Sequence, residues 1–204
     1  MTAKKIKTVV KICKTNSFLS IPIIFRRLLN KLYNFLFLKN FSITADYSSY
    51  IYGLKYMKIG SLNVGRNCRI EMISEYNNKI LEPQLIIGNN VIINDRVHIG
   101  CAHYIEIGDN CLFASNIYIS DHNHGIYKGE HRSNMLQNVS ERDLDYDKSV
   151  IIGKNVWLGE GVAVLPGAII GDNAIIGANA VVIGEIPANA IAAGVPAKVK
   201  KIIM

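Results

Sequence analysis

IIGKNVWLGEGVAVLPGAIIGDNAIIGANAVVIGEIPANAIAAGVPAKVKK, residues 151–201, carries a beat of six: Ile152, Leu158, Val164, Ile170, Ile176 and Val182 recur at that interval, and Gly153, Gly159, Gly171 and Gly177 directly follow four of them. A fixed period of this kind marks a repeat fold rather than an ordinary alternating sheet. Six residues suit one flat face of a solenoid, a short strand and a turn with one aliphatic side chain aimed at the axis, so that three faces close a coil. A helix is excluded, because six residues advance it by about 600° and would smear the aliphatics around the cylinder. Glycine after the aliphatic fits a corner where positive φ or close backbone approach excludes a Cβ. Cys68, Cys111, Ala168 and Ala174, each two places before a residue of the beat, fit a tapered interior.

The beat is also present upstream, in Ile87-Gly88, Ile93 and Ile99-Gly100, then, after a slip of two residues, in Ile107-Gly108, Phe113-Ala114 and Ile119. Residues 40–85 read as irregular first coils carried by Ile59-Gly60, Val64-Gly65 and Ile70, with Tyr76-Asn77-Asn78-Lys79 as a loop. From 121 to 149 the beat stops in DHNHGIYKGEHRSNMLQNVSERDLDYDKS, a long polar excursion between two regular sections. Long loops on a rigid scaffold are where binding and chemistry concentrate.

The 204 residues suffice for one repeat domain with a full core, and no secretory signal is read. Cys13, Cys68, Cys101 and Cys111 lack CxxC spacing, which suggests a reducing, cytoplasmic compartment and packing roles. The net charge is +7, yet residues 1–40 hold nine basic side chains (Lys4, Lys5, Lys7, Lys11, Lys14, Arg26, Arg27, Lys31, Lys39) and no acidic one. The remainder is slightly negative, which argues against nucleic acid as a partner. From about Pro22 to Leu38 the chain reads as a helix with Ile24, Leu28, Leu32 and Phe35 on one side and Arg26, Arg27, Asn30, Lys31 and Asn34 on the other. Two roles stay open for it, a cap over the exposed end of the first coil and peripheral contact with an anionic membrane, on its inner face, through residues 1–40. The positive charges within the run speak against a spanning helix.

Residues 151–201 closely resemble the C-terminal half of hexapeptide-repeat acetyltransferases of the galactoside, maltose and xenobiotic type. IGDNCLFASNIYISDHNHG, residues 107–125, is similar to the family segment that ends in its catalytic histidine, so the resemblance covers roughly residues 86–201. Within the family, the length, the long loop and the basic N-terminus look most like bacterial enzymes that O-acetylate surface polysaccharides or their precursors. The resemblance implies an all-β fold, a left-handed parallel β-helix over 46–201 with a basic helical segment over 1–45 and the excursion loop 121–149. It further implies a homotrimer, with acetyl-CoA as co-substrate in a groove between subunits and no metal.

Acyl transfer to an alcohol needs a base near neutrality, which histidine supplies. Counted without a gap from Ile107, the position matching the family's catalytic histidine is His124, and His122 fits if the coil is two residues shorter. Asn94 matches an acceptor-site asparagine, although a corner asparagine also serves a turn backbone. On the CoA side, Trp157 matches the tryptophan beside the pantetheine arm, Gly177 and Ala178 match the narrow wall along it, and Lys198 and Lys201 match positions that meet the nucleotide phosphates. The backbone N–H at Glu160, after Gly159, matches the oxyanion donor; the glutamate departs from the usual small polar residue, and so does Ile183 from a threonine. Tyr127, Lys128, Arg132 and Arg142 of the loop are candidates to shape the acceptor pocket.

Other readings remain. N-acetylation of a nucleotide-linked amino sugar uses the same scaffold and the same base. A zinc site of carbonic-anhydrase type would draw on His98, His103 and His122, and a degenerate β-helix could serve as a non-enzymatic scaffold.

Overall fold

The computed structural model describes residues 20–203. Short strands in three sheets of eight, six and six strands, parallel except for Lys198–Ile202 at the end of the largest, wind as a left-handed β-helix. One coil runs through Gln84–Ile87, Val91–Ile93 and His98–Cys101 before the next begins at Tyr104–Ile107. Register stacks the aliphatic beat on itself: Ile107 pairs with Ile87 and Ile152, Phe113 with Ile93 and Leu158, and Ile119 with Ile99 and Val164. These side chains are fully buried. Each contributes about 1.5–3 kcal/mol of burial, so six-residue periodicity becomes a continuous column of core. Cys68, Cys111, Ala168 and Ala174 are buried as the tapered interior required, and Cys68, Cys101 and Cys111 are free thiols. Cys13 lies outside the described residues, as do Lys4, Lys5, Lys7, Lys11 and Lys14.

The corners divide their labour between two residues. Gly108 and Gly153 do not adopt positive φ. They are glycine because the next coil passes too close: a Cβ on Gly108 would lie 2.7 Å from the Gly153 carbonyl carbon, and one on Gly153 2.8 Å from the Asp172 nitrogen. The left-handed turn falls two residues later, on Asn110 (φ 60°), Asn155 (φ 57°) and Asn173 (φ 60°), where asparagine tolerates that conformation better than other side-chain-bearing residues. The amides then bond to each other from coil to coil, Asn155 to Asn173 and Asn173 to Asn189, each at 2.9 Å.

Departures from the beat gather at one corner, where the sheet containing His98–Cys101 hands over to the sheet containing Tyr104–Ile107. The coil that begins at Leu62–Val64 inserts residues 73–83 there, with a hairpin of Glu75–Tyr76 and Lys79–Ile80 whose turn residues Asn77 and Asn78 both have positive φ, as a two-residue hairpin turn demands. The next coil inserts Ala102 and His103, the slip of two. The one after it launches the excursion 121–149, which returns through Leu144–Asp145, antiparallel to Asn123–His124. Leu81, Ala102 and Leu144, with Ile73 and Tyr76 against them, give the three insertions a small core of their own.

The helix Ser20–Tyr33, continued by a π-helical turn over Asn34–Leu38, lies on the first coil with its polar side inward. Asn34 bonds both backbone groups of Ala45 at 2.7 Å, and Asn30 accepts from the Tyr47 N–H at 2.9 Å and donates to Asp46 at 2.8 Å. Arg26 Nε donates to Asp46 at 2.9 Å. An exposed strand edge is thus paired by side chains spaced four apart on one helix face. Among the described residues of this segment, Tyr33 and Leu38 reach the core. Of the two roles open from the sequence, the helix takes the cap's position on the first coil through hydrogen bonds, and Leu28, Leu32 and Phe35 stay exposed.

Candidate active site

At the irregular corner lies a cleft of about 460 Å³ lined by Arg69, Glu71, Tyr76, His98, Tyr118, His122 and His124, among others. Pairing places Arg69, His98 and Tyr118 in one column of the sheet, and Glu71, Gly100 and Ser120 in the next. Gly100 leaves space that imidazoles occupy: a Cβ there would meet His122 Cε1 at 3.2 Å and His98 Nε2 at 3.7 Å. His98 Nε2 is 3.0 Å from Glu71, which also pairs with Arg69 at 2.6 Å.

His122 is held by the slip of two. The Asp121 carboxylate accepts from the amides of Ala102 and His103, each at 2.8 Å, and sits 3.0 Å from His122 Nδ1. Burial works against the Asp121 charge, but the hydrogen bonds from His122 and these amides outweigh it and keep the carboxyl below its usual range. Ser120 Oγ donates to the His122 carbonyl at 2.9 Å. Nδ1 is therefore the protonated nitrogen, facing the carboxylate, and Nε2 keeps its lone pair.

His124, two residues on, is exposed, its ring centroid 6.3 Å from that of His122 and 5.5 Å from that of Tyr76. Its Nδ1 is 3.0 Å from the Tyr76 hydroxyl. Both candidate bases thus line one cleft, each with Nδ1 engaged.

Elsewhere the sequence candidates fall on a second surface. Asn94, Ala114, Gly159, Gly177 and Ala193 follow one another up the preceding corner, the first four with their amides bonded to the next coil, Asn94 to Phe113 at 3.0 Å and Gly159 to Ile176 at 2.8 Å. Trp157 stands half-exposed beside this column, Ala178 is exposed, and Lys198 pairs with Ala193 at its end while Lys201 pairs with Ile191. Gly159 packs against the Ala178 backbone, where a Cβ would lie 2.7 Å from its nitrogen. The Glu160 side chain is drawn aside by Asn116 Nδ2 at 2.7 Å. Within one chain the column and the histidine cleft occupy opposite ends of the same sheet face, so Asn94 and His124 are not brought together.

The loop candidates need correction. Arg142 is buried and bonds to the carbonyls of Met135 and Gln137 and to the Tyr127 hydroxyl, and Tyr127 in turn donates to the His124 carbonyl at 2.6 Å. These two hold the excursion together, and neither they nor Lys128 and Arg132 line the cleft. Of the residues that do, Arg69, Glu71 and Tyr118 escaped sequence reading because outward positions of a β-helix strand carry no periodic signal, Tyr76 was read only as part of a loop, and His98 only as a metal candidate. His103 does not join His98 and His122, and no group of three His, Cys, Asp or Glu side chains among the described residues could hold a metal ion.

The family profile described as bacterial transferase hexapeptide (six repeats) matches residues 149–184. The chain is 34% identical to the solved maltose O-acetyltransferase of Clostridium difficile 630, covering 74% of this chain and 72% of that one with a TM-score of 0.57. It is 44% identical over 117 residues to Escherichia coli K12 WbbJ, whose name assigns it provisionally to lipopolysaccharide biosynthesis as an O-acetyl transferase; the match takes in 57% of this chain and 60% of that protein's length. A galactoside acetyltransferase solved in complex with coenzyme A is 27% identical, with a TM-score of 0.52 over 77% of this chain and 66% of that one.

Proposed function

Because this chain belongs to the hexapeptide-repeat acetyltransferases, we propose that it transfers acetyl from acetyl-CoA to a hydroxyl of a sugar or of a bacterial surface polysaccharide or its precursor. The observation that carries the reading is the cleft in which two imidazoles, each with Nδ1 engaged, present Nε2 lone pairs. His124 acts as the base. Its Nε2 takes the acceptor proton as the hydroxyl oxygen attacks the thioester carbon; the tetrahedral intermediate collapses with loss of the C–S bond, and the imidazolium returns the proton to the departing thiolate. His122, oriented by Asp121, contacts the acceptor beside it. The Glu160 backbone N–H meets the oxyanion. Trp157, Gly159, Gly177 and Ala178 flank the pantetheine arm, Lys198 and Lys201 meet the phosphates, and Asn94 meets the acceptor.

Homotrimer formation completes this site. Cleft and column lie at opposite ends of one face, so a neighbouring chain that presents its column to the cleft supplies what a single chain separates. The helix over 20–38 makes peripheral contact with a membrane, a reading favoured by its outward Leu28, Leu32 and Phe35 beside Arg27, Lys31 and Lys39. No helix among the described residues is long and apolar enough to span one.

Thiol release from acetyl-CoA, with sugars, nucleotide sugars and polysaccharide fragments as acceptors, tests the activity. His124→Ala should lower acceptor-dependent release by about 10²–10⁴-fold. Loss on His122→Ala alone would move the base two residues, and a product stable to mild alkali would make it an amide, hence an amino-sugar acceptor. Failure to bind acetyl-CoA would end the reading.

A further inference from the structure

Tyr76 belongs to none of the repeats, sitting on the hairpin inserted at 75–80, yet its hydroxyl lies between two groups. It is 3.0 Å from His124 Nδ1 and 3.0 Å from the Ser140 carbonyl oxygen. A phenol has one proton, and a carbonyl oxygen can only accept. If Tyr76 donated to His124, two oxygens would face each other at 3.0 Å with no hydrogen between them. The proton therefore goes to Ser140, and the contact with His124 is satisfied only when Nδ1 carries a hydrogen and donates it to the phenol oxygen. That leaves Nε2 as the unprotonated nitrogen of a ring that lines the cleft.

We infer that Tyr76 is a positioning residue that fixes the tautomer and orientation of His124 for proton abstraction, an inference that rests on the acetyltransferase reading above. The same task falls to a carboxylate at His122, so the two histidines are set by different means: one by a buried charge, the other by a neutral phenol that is itself tied to the excursion loop. The tie is reinforced around it. Lys79 pairs with Asp143 at 2.8 Å, Asn77 Nδ2 donates to the Arg142 carbonyl at 3.4 Å, and the Tyr76 ring packs on the small core of Leu81, Ala102 and Leu144. The inserted hairpin thus aligns the loop and its histidine together. A neutral partner suits a base that must cycle, since it orients the ring without adding a fixed negative charge beside an anionic intermediate.

Tyr76→Phe keeps the ring and removes the oxygen. Nitrogen-15 spectra of histidine-labelled protein, assigned with His124→Gln and taken where the rings are neutral, should show wild-type His124 with hydrogen on Nδ1 and a mixture of tautomers in Tyr76→Phe. Acceptor-dependent thiol release should fall by about ten- to a hundredfold in kcat, with acetyl-CoA affinity and thermal midpoint close to wild type. Hydrogen on Nε2 in the wild type, or a Tyr76→Phe enzyme within twofold in kcat while His124→Ala is inactive, would overturn the role of Tyr76 alone. A fully active His124→Ala would instead overturn the catalytic reading on which it rests, and the tautomer spectra would still stand or fall by themselves.

Discussion

At the scale of single residues the site depends on small clearances. Gly100 was legible in the sequence as one more glycine after an aliphatic, but its use here is to leave room for His122 Cε1, 3.2 Å from where a Cβ would stand. His122 cannot easily give way, because Asp121 holds its Nδ1 and Ser120 its carbonyl oxygen. Gly100→Ala should therefore leave the coil folded and acetyl-CoA binding intact, while acceptor-dependent kcat/KM drops about tenfold through displacement of the ring; unchanged kinetics would place His122 outside the chemistry. His124 and His122 stood out in the sequence because the family resemblance aligns its histidine there, where a loop departs from the scaffold. Their hydrogen-bond partners did not, since Tyr76 lies 48 residues from His124 and nothing in a linear pattern brings an inserted hairpin against an inserted loop.

At the scale of elements, the six-residue beat fixed the strands and the position of the excursion, and the slip after Ile99 marked a corner whose use only the structure explains. The helix was legible as an element but not in its orientation, since an amphipathic pattern names two faces without saying which one the coil needs. The first strand needs hydrogen-bond partners, so Arg26, Asn30 and Asn34 face inward. Desolvation would raise the Asp46 carboxyl, yet bonds from Ser48, Asn30 and Arg26 hold it down at about 2 against an ordinary 3.8. Its folded value is depressed, so its contribution to helix docking is complete above the unfolded value and is lost as pH falls through the folded one. Hydrogen exchange at the Ala45 and Tyr47 amides should accelerate as pH drops from about 4 toward 2 beyond the intrinsic pH dependence, and Asp46→Asn should show the faster exchange already at neutral pH. The outward side gives a separate test. Flotation with vesicles rich in anionic lipid should recover the wild type and lose a Leu28→Ser, Leu32→Ser, Phe35→Ser triple variant, whereas neutral vesicles should bind both weakly. Equal flotation of the two proteins would show that the stripe does not meet lipid.

At the scale of the whole molecule, a β-helix is a prism whose faces repeat but whose corners need not. Here one corner carries a smooth column of Asn94, Ala114, Gly159, Gly177 and Ala193, and the next carries all three insertions and the histidine cleft. In the proposed trimer, a slender thioester laid along the smooth corner of one chain meets the cleft of a neighbour related by a threefold axis along the prism. That arrangement predicts complementation. His124→Ala removes the base and leaves the column; Ala178→Trp, at an exposed position, blocks the column and leaves the base. Each homogeneous protein should be inactive. In trimers assembled at random from equal amounts of the two, a site works when the base comes from the Ala178→Trp chain and the column from the His124→Ala chain, which is about one site in four. Recovery of about a quarter of wild-type thiol release on co-refolding would establish a shared site, and its absence, with mixed trimers present by mass, would return both halves of the chemistry to a single chain.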